Sequence, residues 1–101
     1  VSVLAAFSIT PLGSSESVSQ QVAEAVRIVR LSGLPNETNA MFTNLEGESF
    51  EEVMGVIGQC VDHLSRSCER LSVVIKLDVR PGGPLGRLAA KVEAVERLLE
   101  T

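Results

Sequence analysis

The sequence has almost no aromatic side chains: three Phe, no Tyr and no Trp in 101 residues. Platforms for single-stranded nucleic acid depend on exposed rings that stack on bases, so that class is disfavoured. No block of Lys or Arg occurs and the net charge is −4, which argues against a phosphate-backbone binder. Histidine occurs once, as His63. A metal site needs three or four ligands, and a serine triad or cysteine dyad would have to use this one imidazole, so no metal, cofactor or catalytic constellation is expected. Cys60 and Cys68 form neither a disulfide framework nor a CxxC pair. No apolar run approaches the ~20 residues of a membrane helix, and the start lacks a basic–apolar–small secretory pattern, so a cytoplasmic location is expected. Pro81–Arg87 is glycine-rich without the GxxxxGK spacing of a phosphate loop. The helix that follows, near Leu85, still offers an N-terminus that can hold an anion.

What is present is an apolar fraction of 45%, enough for a modest core in a single domain spanning residues 1–101. Residues 1–10 alternate, with Val1, Val3, Ala5, Phe7 and Ile9 on one face, and predict a half-buried strand that Pro11 and Gly13 end. Ser14–Glu16 reads as a polar loop. Ser17 and Gln20 form a capping box ahead of a helix over about residues 18–32, with Val18, Val22, Ala25, Val26 and Val29 as its core stripe. Gly33 and Pro35 stop it. Residues 36–42 and 44–48 predict two adjacent antiparallel strands. Ser49 and Glu52 form a second capping box, followed by a helix to about residue 66 with Phe50, Val53, Ile57, Cys60 and Leu64 facing inward. Residues 70–80 alternate cleanly, with Leu71, Val73, Ile75, Leu77 and Val79 on the buried side. Leu85, Leu88, Val92, Val95 and Leu99 mark a last helix with a seam close to heptad spacing. The order predicts an α+β protein, a ferredoxin-like β-α-β-β-α-β sandwich with a four-stranded antiparallel sheet plus a C-terminal helix. Both internal helices would cover one sheet face. The other face, carrying Leu4, Ala6 and Val74, would be bare and would want a second subunit.

The pattern offers binding chemistry more readily than catalysis. Glu46 and Glu48 lie two apart on a strand, hence on one face, where they can accept hydrogen bonds from an amino group and oppose a positive charge. The plainer reading is that they form ordinary ion pairs with Lys76 and Arg80 across the sheet. Lys76, Asp78 and Arg80 make an alternating charged comb suited to a ligand, a partner or solvent.

Four runs resemble the thiamine-binding protein family: Phe7-Ser8-Ile9-x-Pro11 with Ser17-Val18-Ser19; Ser32-Gly33-Leu34; Met41-x-Thr43-x-Leu45-Glu46-Gly47-Glu48; and Ile75-Lys76-Leu77-Asp78-x-Arg80. The resemblance covers nearly the whole chain in order. It implies a ferredoxin-like fold, a homotetramer of sheet-to-sheet dimers, and non-catalytic binding of thiamine or its hydroxymethylpyrimidine portion. Carried over by motif position, Ser8, Ser17, Met41, Thr43 and Glu46 become candidate ligand contacts, with Glu48 added by its place beside Glu46. Regular strand parity would set Thr43 and Glu46 on opposite faces. The competing reading is a structural or regulatory homo-oligomer whose sheet face binds a protein partner.

Overall fold

The computed structural model describes residues 1–13 and 17–100; the loop expected at residues 14–16 lies outside them. The element order is β1 (Ser2–Leu12), α1 (Val18–Leu31), β2 (Asn36–Thr38), β3 (Thr43–Gly47), α2 (Phe50–Ser65), β4 (Arg70–Arg80) and α3 (Arg87–Leu99). The four strands form one antiparallel sheet in the order β2-β3-β1-β4, so β1 is central and β4 is an edge. This is the sandwich with a terminal helix that the alternation of periods predicts. No helix among the described residues is long and apolar enough to cross a membrane.

Alternation sorts β1 as expected. Val3, Ala5, Phe7 and Ile9 are buried and meet Val29 of α1 and Val53, Ile57, Cys60 and Leu64 of α2 in the core. Thr43 and Leu45 pair with Phe7 and Ala5 on that inner face; Asn44 and Glu46 pair with Ala6 and Leu4 on the outer one. Gly47 is where α2 comes closest: a Cβ there would stand 2.7 Å from Val53 Cγ2 and 2.8 Å from Glu52 Oε1.

Several local expectations are corrected. β1 runs through Pro11 to Leu12 because it still pairs with β4 there, Pro11 against Leu71. Its pairing with β3 has already ended at Phe7, and a strand flanked on one side only tolerates a missing N–H. β2 stops at Thr38 rather than Phe42, because Asn39 Oδ1 accepts from the Met41 and Phe42 amides at 2.9 and 3.0 Å and turns the chain. On α1, Gln21 rather than Val18 is buried, and its Oε1 accepts from Cys68 Sγ at 2.6 Å. Phe50 is half exposed, and the intended inner face of β4 is only partly covered, since an edge strand has a neighbour on one side. The outer face is not bare either: the first two turns of α3 fold back over it, with Leu88 and Val92 above Leu4 and Ala6.

Candidate functional site

Beyond Phe7 the β3 edge of β1 has no strand partner among the described residues, while β4 still pairs along the other side. That mismatch opens a cavity of about 200 Å³ at the end of the sheet. One wall is the β1 edge from Phe7 to Thr10; Val22, Ala25 and Val26 of α1 form the second, and the turn from Thr38 to Thr43 forms the third. Successive β1 residues of both parities line it, so the cavity meets the strand at its main-chain edge rather than on one face. None of the described lining residues is charged. Thr38 Oγ1 and Thr43 Oγ1 lie 3.3 Å apart across β2 and β3, and Asn39 N donates to Phe42 O at 3.0 Å to close the turn. Met41 is exposed at the rim and Phe42 half-buried. The arrangement can hold a small heterocycle between apolar walls, with hydroxyl and main-chain groups to read its edge.

The six sequence candidates separate in space. Ser8, Met41 and Thr43 line this cavity together. Ser17 does not line it; it is the N-cap of α1, its Oγ accepting from Gln20 N at 3.2 Å. Glu48 is exposed and borders a shallow recess with Val1 and Leu85, its amide donating to Glu52 Oε1 at 2.9 Å.

Glu46 corrects the expectation of ion pairs with Lys76 and Arg80, because its carboxylate is buried, 1% exposed, and fully engaged elsewhere. Oε2 accepts from Ser2 Oγ at 2.6 Å, Gly86 N at 3.1 Å and Arg87 N at 3.2 Å, while Oε1 accepts from Leu88 N at 3.3 Å. The N-terminus of α3 has no side-chain cap of its own, Gly86 being left-handed at φ 95°. The anion expected near Leu85 is therefore supplied by the chain itself, from β3. Burial pushes the Glu46 pKa up, but the Ser2 hydroxyl and the amides of Leu88, Arg87 and Gly86 together bring it below the ordinary value. Arg87 completes the anchor: Nε donates to Ser2 Oγ at 2.9 Å, and Nη2 to the carbonyls of Ser2 at 2.9 Å and Asp78 at 2.8 Å.

The residues missed from sequence are Ser2 and Arg87. The one available signal was Ser2 sharing outward parity with Glu46's partner Leu4. The charged comb resolves similarly. Asp78 receives Lys91 Nζ at 2.6 Å and lies 3.1 Å from Arg87 Nη1, and these partners hold its pKa down to about 2. His63 Nε2 meets Glu24 Oε2 at 2.6 Å, tying α2 to α1. Burial pushes the Cys60 thiol up to about 11, the setting of an inert core cysteine. Among the described residues no group of three His, Cys, Asp or Glu could hold a metal.

The fold is that of a small α+β module with a cavity at the end of its sheet. The family model for thiamine-binding proteins matches residues 5–96, and the chain belongs to that family. It is 50% identical over 99 residues to a UPF0045 protein of Mycobacterium bovis, covering 98% of this chain and 96% of that one. A crystal structure of a hypothetical protein from Methanocaldococcus jannaschii superposes with a TM-score of 0.81 at 30% identity, over 94% of this chain and 96% of that one. A candidate thiamine biosynthesis/salvage protein of Thermotoga maritima, at 20% identity, shares the fold with a TM-score of 0.77, over 91% and 99% of the two chains.

Proposed function

We infer that the protein is a non-catalytic binder of thiamine or its hydroxymethylpyrimidine moiety, acting in the cytoplasm as a carrier or sensor. The observation that carries this reading is the cavity, uncharged among its described lining residues, that joins Ser8, Met41 and Thr43, three positions singled out by the sequence resemblance and lying within the residues that the family model matches. An aminopyrimidine has donors and acceptors along one edge and apolar faces, which suits a strand edge opposite Val22 and Val26. With no carboxylate among the described lining residues, the cationic thiazolium belongs at the mouth beside Met41, in contact with water. Glu46 then serves to hold α3 rather than to touch the ligand.

Self-association is part of the same proposal. Val92, Val95 and Leu99 of α3 are 53%, 56% and 74% exposed on one stripe, and covering them with another copy, up to a homotetramer, removes that apolar surface from water. A light-scattering mass above the monomer's is expected, and a monomeric mass at assay concentration would refute it.

Calorimetric titration with thiamine tests the ligand. Roughly eighteen heavy atoms at about −0.3 kcal/mol each give about −5.4 kcal/mol, a Kd of ~100 μM, so the titration must extend into the millimolar range. Saturable heat is expected with thiamine and with hydroxymethylpyrimidine; a flat trace with both would overturn the reading.

A further inference from the structure

Taking the cavity at the end of the sheet as the thiamine site, on which this rests, we propose that the main chain of Ile9 determines its specificity. The Ile9 N–H and C=O read the ring nitrogen and the exocyclic amino group of an aminopyrimidine as one strand residue reads another. The hydrogen-bond phase of the sheet leads to this residue. Along an antiparallel strand, successive residues turn their N–H and C=O to opposite edges. Glu46 N donates to Pro35 O at 3.0 Å, so the Glu46 main chain faces the β2 side, and Phe42 O, accepting from Asn39 N at 3.0 Å, is in the same phase. Thr43 and Leu45 lie in the other phase and face β1, where they stand opposite Phe7 and Ala5. Phe7 therefore turns its main chain toward β3, and Ile9, two residues on, turns its own toward the cavity that it lines. Ser8 and Thr10 turn theirs to β4, opposite Val74 and Ser72.

Continued by one step, the β1–β3 register would set Met41 opposite Ile9. Asn39 prevents it, because its Oδ1 accepts from Met41 N at 2.9 Å and holds that residue out at the rim. Ile9 is buried, yet on this edge its main chain bonds no other described residue. A buried N–H and C=O turned toward a cavity call for a partner. Pro11, next in phase, has no N–H, so an added peptide strand would find only one complete pairing residue. A flat heterocycle with one acceptor beside one donor fits that single residue, and Val22 and Val26 of α1 supply its apolar wall. The amino group and the adjacent ring nitrogen of an aminopyrimidine present the donor and acceptor that a strand partner would. The roles of the main chain are fixed, since an N–H only donates and a C=O only accepts, whereas the Thr38 and Thr43 hydroxyls can do either. Selectivity for the amino form therefore comes from Ile9 and not from the threonines.

Calorimetric titration of the full chain with thiamine and with oxythiamine tests the role of Ile9. In oxythiamine a carbonyl replaces the amino group and the adjacent ring nitrogen carries a proton, so donor and acceptor are exchanged. Thiamine should saturate, and oxythiamine should bind weaker by about tenfold or more, because both main-chain groups then meet the wrong partner. Ile9→Pro removes the N–H that faces the cavity, at a position in phase with the native Pro11, and should weaken thiamine about tenfold. Ile9→Val keeps the main chain and should bind thiamine as the wild type does. Oxythiamine binding within about threefold of thiamine, or equal thiamine binding by Ile9→Val and an Ile9→Pro variant of unchanged circular dichroism, would overturn the role of Ile9 while leaving thiamine binding in place. If Ile9→Pro does not fold, the ratio of thiamine to oxythiamine affinity in the wild type decides. Flat traces with both thiamine and hydroxymethylpyrimidine would remove the thiamine reading, and the role of Ile9 with it.

Discussion

Glu46→Gln keeps the side chain's size and removes its charge, which isolates what the buried carboxylate does. The carboxylate accepts from Ser2 Oγ and from the amides of Gly86, Arg87 and Leu88. A glutamine retains one acceptor oxygen and turns an NH2 group toward donors. Loss of one or two charge-assisted hydrogen bonds, with loss of the anion at a helix N-terminus, sums to roughly 2–4 kcal/mol. At about 4–8 °C per kcal/mol for a domain near this size, the melting temperature should fall by roughly 8–32 °C. The damage should begin at α3, whose later turns are exposed and whose attachment is its first turn. Hydrogen exchange of the Ala90 amide, bonded to Gly86 O, should accelerate by roughly 30- to 1,000-fold. The wild type should show the same loss in acid. Because the folded pKa of Glu46 is lowered from 4.5, its contribution is complete above that value and is lost as pH falls through the folded pKa. The Glu46→Gln variant should lack that part of the slope. A melting temperature within a few degrees of wild type, unchanged Ala90 exchange and an unaltered acid slope would refute the capping role.

Gly47→Ala places a methyl against Val53 and Glu52, and denaturant unfolding should register about 1–3 kcal/mol of overpacking. Asn39→Ala removes the acceptor that turns the chain at Met41 and Phe42; about 0.5–1.5 kcal/mol of stability should go with it, together with thiamine affinity, measured by the same calorimetry. The Asp78 carboxyl should titrate near 2 by NMR, and Lys91→Gln should bring it back toward the usual carboxylate range.

Periodicity made much of this fold legible. The two-residue alternation of Val3, Ala5, Phe7 and Ile9 defined β1 and its inner face, and Ser17 and Ser49 marked the starts of α1 and α2 because their chemistry is local. What stayed hidden depends on distant partners. Nothing around Glu46 announces that Ser2 and the amides of Gly86–Leu88, some forty residues away, will consume its lone pairs. The strand order likewise leaves no local trace, so β4 reads as a buried strand although it lies at the edge. Ser8, Met41 and Thr43 were identifiable by resemblance, but their shared cavity arises because β3 ends while β1 continues, a consequence of the turn at Asn39. Besides Ser2 and Arg87, Asn39 was missed, and its signal is local, since its side chain turns the residues that directly follow it.

The most direct test of the binding account compares thiamine affinity in Thr43→Val and Glu46→Gln, measured at low temperature where both are folded. Thr43 lines the cavity and Glu46 lies on the opposite sheet face. The account predicts affinity weakened about fivefold or more by loss of the Thr43 hydroxyl and unchanged by Glu46→Gln. The reverse pattern, binding abolished by Glu46→Gln and indifferent to Thr43→Val, would contradict it and move the ligand to the α3 side of the sheet.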